Sequence, residues 1–524
     1  MLVLWLGCSR SVSEPTEVPG AGVRVAPTHA RPGDLLTCAW DGSGEATWTV
    51  GERQVGTGPT LDTAGLRAGD SVTCAVRAPE GRELGHATAT LPGNVLIVLT
   101  DDTGIDRFAA YGVGQRIPRT PTVDRLVADG VLFERAWGAV SCSPGRAELL
   151  TGRRAHQHGV QVAQPITSSV WLHDEEVTLP EMLRQGTGGL YSSAFVGKWH
   201  LASRRMGEEA FLRAPLDQGF DHAAAIMGGL GPTDSVDGAR QTWEDWVRVV
   251  DGVPERAQGY VTDLQLADAR TWFDELPEPF LLVVATSAAH APYVKPPPGR
   301  AWSDVPVGDT PQQRGNHAAI EALDRAFGEL LEGVDPGRLA RTTVFFTSDN
   351  GTDGRISGIP AAHAKGSVFE IGLRVPLVVS GLGVDRHGEH SRDLVGLTDL
   401  YATVADLAGV SLDDGVERDT ASFRATLRDA KAPPARTVLA TSAVKNDGSH
   451  ARCAARDDRY KVVRVEGEET FYDLDADPGE RVDLPAASLS AEAESARERL
   501  TAALVPDCGG PPPSGAVSRT GEDD

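Results

Sequence analysis

Basic residues and cysteines are scarce in this sequence. Its 50 lysines and arginines face 74 aspartates and glutamates, which gives the 524 residues a formal net charge of -24. Such a charge repels nucleic acid and anionic lipid at long range, so we expect no nucleic-acid partner, and an anionic substrate would need a local basic pocket. The six cysteines form no close-spaced metal motif, so each needs its own explanation.

Long apolar runs are also absent beyond the first few residues, so no segment of the body is predicted to span a bilayer. The N-terminus, MLVLWLGCSR, resembles the end of a bacterial lipoprotein signal in which Cys8 is the lipidated residue. The apolar run is short and no basic residue precedes it, so a truncated secretion signal and a functionless apolar tail are the alternatives. We expect an exported protein, either a cell-surface lipoprotein or a periplasmic or secreted protein, whose soluble body contacts a membrane only through that lipid.

The chain is longer than one typical domain, and its composition divides it. Residues 1–20 have the composition of a signal segment and linker, and residues 21–92 contain short alternating runs that predict a small antiparallel β unit. Cys38 and Cys74 lie in strand-like runs of this unit, with Trp48 between them. The pattern resembles an immunoglobulin-like β-sandwich, which implies a Cys38–Cys74 disulfide across two sheets and supports export. Two unpaired core cysteines are the alternative.

Uniformly apolar runs mark buried strands in the next segment, residues 93–435. The runs NVLIVLT, FLLVVATS and TTVFFTSDN, which begin at residues 94, 280 and 342, fit strands covered on both faces of a parallel sheet. Helical patterns alternate with them over residues 120–137, 260–276 and 312–333. The alternation predicts an α/β domain whose mainly parallel sheet is sandwiched by helices, with chemistry at the carboxyl ends of the strands.

A smaller α+β subdomain is predicted over residues 436–508, followed by a disordered tail at 509–524. The run RYKVVRVEGEETFYDLDADPGE, which begins at residue 459, has a charged turn between two strand-like halves and predicts a β-hairpin. A disulfide between Cys453 and Cys508 is a hypothesis for this subdomain, because sequence alone does not fix the distance between two cysteines.

Two of the buried-strand runs end in oxygen-bearing side chains. Asp101 and Asp102 follow the first run, and Asp349 and Asn350 end the third. Each residue alone is typical of a strand end that starts a turn. Together, at one edge of a sheet, they offer the hard oxygen ligands that Ca²⁺ or Mg²⁺ requires, whereas a zinc pair would need several histidines. The sequence therefore predicts one divalent cation site.

The run CSPGRAELLTG begins at Cys142 and has the pattern Cys-x-Pro-x-Arg ahead of a helix-like segment. It is followed in order by GKWHL, HAPY, SDNG, HAKGSVFEIGLRVP and FYDLDADPGE. This set, spread over roughly residues 93–485, resembles the type I sulfatases of the alkaline phosphatase superfamily. Gly145 departs from the family, which usually has serine, threonine or alanine there.

The resemblance implies hydrolysis of an aryl or carbohydrate sulfate monoester to an alcohol and inorganic sulfate. A formylglycine-generating enzyme would first oxidise Cys142 to formylglycine, whose aldehyde hydrates to a geminal diol. One hydroxyl then attacks sulfur, and the other later loses its proton and expels sulfate. The cation, Ca²⁺ in the family with Mg²⁺ as the alternative, would lower the pKa of the attacking hydroxyl and polarise a sulfate oxygen.

Five further side chains receive catalytic roles from the resemblance. Arg146 would stabilise the ionised diol, and Lys198 and Lys365 would neutralise sulfate oxygens. Lys198 and His290 would share protonation of the leaving group. His200 would handle the proton whose removal releases sulfate.

Two alternative functions use the same residues. A phosphonate monoester or phosphodiester hydrolase would share the scaffold and the modified cysteine, and a non-catalytic surface protein would bind glycan without turnover. The leading hypothesis is a sulfatase that acts on a sulfated small molecule or glycan. We interpret His156, His158 and Asp324 as structural, whereas the tryptophans between residues 241 and 302 fit a substrate entrance and core packing equally well.

Overall fold

The computed structural model describes residues 22–231, 234–358, 360–412, 415–443, 452–485, 488–504 and 508. The chain forms two compact units that divide between Leu91 and Pro92. Among the described helices, none combines the length and apolar character needed to cross a membrane. Cys8 and the tail predicted at 509–524 lie outside the described residues.

The first unit consists of two small antiparallel sheets, with strand orders β1-β2-β5 and β4-β3-β6-β7. A disulfide joins Cys38 in β2 to Cys74 in β6, and so links the two sheets. Trp48 lies fully buried in the same core and donates its indole N–H to the Gly58 carbonyl at 2.8 Å. The strands are β1 (Arg24–Ala26), β2 (Leu35–Ala39), β3 (Glu45–Val50), β4 (Arg53–Thr57), β5 (Thr60–Asp62), β6 (Ser71–Arg77) and β7 (Glu83–Thr90).

The second unit is built on a ten-stranded sheet of order β13-β12-β11-β10-β14-β8-β15-β16-β9-β17. Five consecutive strands, β11-β10-β14-β8-β15, are parallel, and β12, β13 and β16 pair antiparallel with their neighbours. The α/β prediction is confirmed, with a sheet that is mixed rather than uniform. Its strands are β8 (Asn94–Thr100), β9 (Gly130–Trp137), β10 (Ser192–Lys198), β11 (His222–Ile226), β12 (Asp245–Val250), β13 (Val253–Gln258), β14 (Phe280–Ala285), β15 (Thr342–Ser348), β16 (Leu377–Gly381) and β17 (Glu389–Gly396).

Helices cover this sheet and complete a core on each side of it. In β8, Val95 and Ile97 face one core, whereas Leu96 and Val98 face the other, as expected for a strand covered on both faces. The helices are α1 (Pro121–Ala128), α2 (Cys142–Thr151), α3 (Ala155–His158), α4 (Leu179–Gly186), α5 (Glu208–Asp217), α6 (Val261–Glu275), α7 (Pro311–Gly333), α8 (Pro336–Leu339), α9 (Gly354–Ser357), α10 (Glu370–Leu373), α11 (Thr398–Ala408) and α12 (Arg424–Arg428).

The helical pattern expected over residues 120–137 was wrong in its second half. Helix α1 ends at Ala128, and residues 130–137 form strand β9. Val131 and Phe133 face one core while Leu132 faces the other, so the apolar run VLF is buried on both faces of the sheet. A Cβ at Gly130 would collide with the backbone of the neighbouring strand β16, so the glycine permits close pairing of the two strands.

A four-stranded antiparallel sheet follows near the C-terminus. Its strands are β18 (Leu439–Ala443), β19 (Arg452–Arg456), β20 (Tyr460–Val465) and β21 (Glu468–Asp473), and helix α13 (Ala491–Ala503) packs on it. The predicted hairpin is present as β20 and β21, with Glu466 and Gly467 at positive φ in the turn. The structure joins Cys453 to Cys508.

A buried ion cluster ties this small sheet to helix α10, which follows strand β15 of the large sheet. Lys461, which is fully buried, lies 3.1 Å from a carboxylate oxygen of Glu370 and 2.7 Å from one of Glu480. Arg456 contacts the other oxygen of Glu370 at 2.7 Å. Burial alone would raise the pKa of Glu370, but the two cations lower it to about 2. The attraction between these buried charges therefore offsets the free-energy cost of removing them from water.

We expect Lys461→Met to weaken the fold strongly. The substitution keeps the bulk of the side chain but leaves Glu480 buried without its ion partner. Breaking a buried pair from one side typically costs about 3–5 kcal/mol in the free energy of unfolding. Urea denaturation measures the loss, with Arg428→Met as the control, because Arg428 forms an exposed pair with Asp385. A similar small shift for both variants would show that the cluster contributes little.

Candidate active site

Polar side chains follow four neighbouring parallel strands of the large sheet. Lys198 ends β10, and the loop after β14 leads to His290. Asp101 and Asp102 follow β8, and Asp349 begins the segment after β15. Because the carboxyl ends of parallel strands meet at the same edge, sequence segments up to about 250 residues apart are brought to one place.

Helix α2 delivers Cys142 to this edge as its first residue. The side chain is buried, and its Sγ lies 3.3 Å from Asp101 Oδ1 and 3.5 Å from Asp102 Oδ1. Lys365 approaches from a later loop and places its Nζ 3.2 Å from the same sulfur. The N-terminus of α2 adds a positive end to a place where an anion would sit.

Each aspartate of the site has a basic side chain beside it, and Arg146 contacts Asp101 at 3.6 Å as well as Asp349. Lys198 Nζ lies 2.6 Å from Asp101, Lys365 Nζ lies 2.5 Å from Asp102, and the Arg146 guanidinium lies 2.7 Å from Asp349. Five of these six side chains are almost fully buried, and Lys365 is 19% exposed. The formal charges therefore balance inside a region that water does not screen.

Burial and the neighbouring charges together shift the pKa values of Asp101 and Asp349 in opposite directions. Burial alone would raise the pKa of Asp101, but Lys198, His290 and Arg146 hold it well below its usual range. Burial and the negative charge of Asp101 raise the pKa of Asp349 to about 6, against the attraction of Arg146. Neighbouring carboxylates that diverge in pKa are characteristic of functional sites.

The donor set fits a divalent cation. Ligand atoms of Asp101, Asp102, Cys142 and His290 all lie within 4.8 Å of one another. The amide of Asn350 donates to Asp102 Oδ1 at 2.9 Å, while its own Oδ1 is buried and has no hydrogen-bond partner among the described residues. An unpaired buried carbonyl oxygen beside carboxylates is what a hard cation such as Ca²⁺ or Mg²⁺ would coordinate.

Asp349 adjoins this cluster through the backbone. Its Oδ1 accepts a hydrogen bond from the Asp102 N–H at 3.2 Å, and its Oδ2 accepts from Arg146. The four residues predicted as cation ligands are thus brought together at one sheet edge. Their coordination of an ion stays a prediction.

The thiol of Cys142 is poorly suited to act as a nucleophile itself. Burial raises its pKa well above the usual value, and Asp101 raises it further, against the opposing fields of Lys198 and Lys365. Since the thiolate is the reactive form, the unmodified residue is neutral and weakly nucleophilic. These surroundings do not activate the thiol of Cys142 by lowering its pKa.

Two histidines lie beside this cluster of charged side chains. His200 follows β10 in a left-handed backbone conformation, and its buried Nδ1 has no hydrogen-bond partner within the described chain. Burial and Lys198 lower its pKa well below the usual value. His290 lies with Nε2 3.7 Å from Asp102, and burial and Lys198 also lower its pKa. The lowered pKa values favour the uncharged imidazole, which leaves one ring nitrogen of each histidine able to accept a hydrogen bond.

Hydrogen bonds to neighbouring segments hold His200 and the loop before His290 in position. Ser143 on α2 donates its hydroxyl to the His200 carbonyl at 2.8 Å, which couples the histidine to the helix that carries Cys142. The backbone of Asp101 is bonded to Ala288 and Ala289 at 3.0 Å each, which fixes the loop before His290.

Gly145 has a steric reason to be glycine. A Cβ at this position would collide with the carbonyl oxygen of Asp349. That carbonyl is held by the Ala139 N–H at 3.0 Å, so it is not free to move aside. The departure from the usual residue of the motif therefore coincides with a close approach between α2 and the segment after β15.

His158 and Asp324, which we interpret as structural, form hydrogen bonds that hold nearby loops and helices in place. His158 is buried and its Nδ1 accepts from the Val160 N–H at 3.1 Å. Asp324 accepts from the backbone N–H groups of Thr122 and Val123 and from the Trp302 indole. Trp243 and Trp246 are buried in the core of the large unit, which decides the tryptophan alternative in favour of packing for these two.

The sequence reasoning overlooked Thr352 and Asp106. Thr352 Oγ1 accepts from the Gly104 N–H at 2.9 Å and donates to Asp106 at 2.5 Å, which joins the loop after β8 to the loop after β15. The Lys365 N–H donates to the Thr352 carbonyl at 3.0 Å. A second acid four residues after Asp102, in DDTGIDR, was the available signal.

Comparisons with known proteins agree with this architecture. Human N-acetylgalactosamine-6-sulfatase is 32% identical over 360 residues, which cover 63% of this chain and 64% of that protein. Bovine arylsulfatase A is 31% identical over 424 residues, covering 74% of this chain and 78% of that protein. The chain thus spans less than two thirds of the length of the first of these relatives.

A solved structure of BT4656 in complex with D-glucosamine-2-N,6-O-disulfate has the same fold, with a TM-score of 0.63 and 19% identity. It covers 79% of this chain and 98% of that structure. A family model described as Sulfatase matches residues 93–410. That match includes more than half of the chain, and the protein belongs to the sulfatase family.

Proposed function

We propose that the protein hydrolyses a sulfate monoester to an alcohol and inorganic sulfate. The observation that carries the proposal is the convergence of Cys142 with three cations and three carboxylates at the carboxyl edge of the sheet. The motif order in the sequence and membership of the sulfatase family support the same chemistry. Cys142, Arg146, Lys198, His200, His290 and Lys365 form the proposed catalytic set.

The chain's own side chains supply charge and proton transfer. Lys198 and Lys365 reach the reacting end of the site, where they can face sulfate oxygens and stabilise the charge that grows as the ester bond breaks. His290, whose imidazole is neutral and 31% exposed, can pass a proton to the leaving group together with Lys198 once it has acquired one. His200 is buried, and its unpaired Nδ1 can accept a proton within the site.

Two groups complete the proposed chemistry. A divalent cation, Ca²⁺ or Mg²⁺, would be held by Asp101, Asp102, Asp349 and Asn350 and would act as a Lewis acid toward a sulfate oxygen. Formylglycine at residue 142, made by a formylglycine-generating enzyme, would supply the hydroxyl nucleophile that the neutral thiol cannot. A cation would compete with Lys198 and Lys365 for the aspartates, which would release the lysines toward the substrate.

We also infer a sulfated carbohydrate as the substrate class. The named relative acts on N-acetylgalactosamine-6-sulfate, and the BT4656 structure contains a glucosamine disulfate as its substrate. Aryl sulfates are the alternative, in line with arylsulfatase A. The Cys38–Cys74 disulfide supports an exported location, and lipidation at Cys8 would tether the protein to a membrane.

The modification can be tested on one sequence in two preparations. Protein co-expressed with a formylglycine-generating enzyme should show formylglycine at residue 142 by peptide mass spectrometry and should hydrolyse an aryl sulfate. Protein made without that enzyme retains the thiol and should be at least 100-fold less active, because removing a covalent nucleophile typically costs that much or more. Equal activity of the two preparations, or faster turnover of a phenylphosphonate ester than of the sulfate, would contradict the proposal.

Removal of the cation should inactivate the enzyme reversibly. Treatment with a chelator is expected to abolish turnover, and titration with Ca²⁺ or Mg²⁺ should restore it. Asn350→Ala should raise the ion concentration needed for half-maximal recovery by roughly tenfold, because it removes a neutral oxygen ligand. Asn94→Ala, which alters a buried asparagine at the opposite end of β8, is the control. An unchanged titration for Asn350→Ala would exclude it as a ligand.

Gly145→Ala should lower activity through the position of Asp349. The new Cβ would force apart α2 and the segment after β15, which would disturb the Arg146–Asp349 pair. We expect a fall of roughly tenfold or more in kcat/KM, with retained formylglycine content. Gly65→Ala, at a glycine of the first unit with no positive φ and no atom within 4 Å of the added Cβ, serves as the control. Higher activity or higher formylglycine content in Gly145→Ala would show that the glycine is instead a defect in the motif.

A further inference from the structure

A polar cavity of about 480 Å³ adjoins the loop that follows Asp101 and Asp102. Its wall includes Asp106 and Arg107 from that loop, Arg116 and Asp309 from two more distant loops, and Arg481 from the C-terminal segment. Arg116 is already paired with Asp309. None of the residues that line the cavity is a member of the proposed catalytic set.

Arg107 is the unusual member of this wall. Its side chain is 5% exposed, and its Nε is buried without a hydrogen-bond partner among the described residues. Within the described parts of the chain, its guanidinium forms no ion pair within 4.0 Å, although Asp106, its sequence neighbour, attracts it electrostatically. Asp106 is instead held by Thr352, which donates its hydroxyl at 2.5 Å.

A buried guanidinium with no bound acceptor is energetically unfavourable. Burial lowers the pKa of Arg107, with Asp106 acting in the opposite direction, so the desolvation of its charge is only partly offset. Such a cost is relieved when an oxyanion binds and accepts the free N–H groups. The arginine therefore favours a ligand that carries a carboxylate or a sulfate ester.

Hydrogen bonds connect the wall of the cavity to the loop that carries Lys365. Thr352 contacts Asp106 at the cavity wall and, through its carbonyl, the N–H of Lys365. It lies two residues after Asn350, and Asp106 lies four residues after Asp102. The loops that line the cavity are therefore continuous with, and hydrogen-bonded to, the loops that carry the candidate active-site residues.

We propose that Arg107 and this cavity form an anion subsite, which binds an acidic group of the substrate other than the sulfate that is hydrolysed. The ligand is a carboxylate or a second sulfate ester on an acidic glycan. This substrate class deepens the proposed sulfatase function and rests on it.

The catalytic test compares three sulfate esters: one has no acidic group besides the sulfate that is hydrolysed, and each of the other two carries one further acidic group. One substrate is 4-nitrophenyl sulfate, the second is a monosulfated disaccharide that contains a uronate, and the third is a neutral-sugar disaccharide with two sulfates. Arg107→Gln should raise KM for an acidic substrate by roughly tenfold or more, the loss expected for one charged hydrogen bond, and leave 4-nitrophenyl sulfate turnover unchanged. Arg107→Lys should recover part of the effect, because it keeps the charge.

The affected substrate identifies the acidic group as carboxylate or sulfate. Arg125→Gln is the matched control, since Arg125 is an exposed arginine paired with Glu332. It removes the same formal charge and should leave all three KM values unchanged. Equal KM changes for neutral and acidic substrates in Arg107→Gln, or no change at all, would overturn the subsite.

A binding measurement separates the subsite from the proposed activity. Calorimetric titration with an unsulfated glucuronate disaccharide and with inorganic sulfate should show weaker binding of at least one probe to Arg107→Gln than to the parent or to Arg125→Gln. If the parent turns over no sulfate ester, the sulfatase function fails while this result still decides the subsite. Equal binding of both probes to all three proteins, or no binding to the parent, would overturn it.

Discussion

Three buried aspartates at the carboxyl edge of the sheet impose the constraint on which the site depends. A buried carboxylate is costly unless positive charge lies beside it, and here each aspartate has one basic partner within 2.7 Å. This balance of charge stabilises the buried aspartates. It also means that adding a divalent cation would give the site a net positive charge, which is the condition for holding a sulfate monoester in a chain of net charge -24.

The basic partners come from distant parts of the chain, so the fold must fix several segments at once. Arg146 lies on α2, Lys198 ends β10, and Lys365 lies in a loop close to the C-terminal sheet. That loop is held at Gly366, whose N–H donates to the Val140 carbonyl at 2.8 Å and whose carbonyl accepts from Arg452. The buried cluster around Glu370 continues the same attachment. The C-terminal sheet thus positions Lys365, a member of the proposed catalytic set, without placing a side chain of its own in that set.

The parts of the site that could be predicted were those written locally in the sequence. The strands at 94–100 and 342–348 are uniformly apolar, and the oxygen-bearing residues follow them directly, so both the strands and the meeting point of their ends could be expected. Strand β9 was missed because a buried strand and a helix give similar apolar patterns over a short run, and its partners β16 and β17 lie more than 200 residues later. Thr352 and Arg107 could not be assigned because their importance lies in contacts, or missing contacts, that exist only after folding.

Selection among anionic substrates must take place at contact distance. Exposed charges interact weakly beyond a Debye length of about 8 Å at physiological salt, so the overall negative charge slows approach but does not distinguish one sulfate ester from another. Discrimination then depends on buried charges whose hydration has already been lost. In the proposed function the paired lysines would contact the sulfate group of any ester, whereas the unpaired Arg107 outside the reacting centre would distinguish an ester that carries a second acidic group from one that does not. The paired charges at the carboxyl edge of the sheet stabilise the buried aspartates. The unpaired charge of Arg107 beside that edge would instead contribute to substrate specificity.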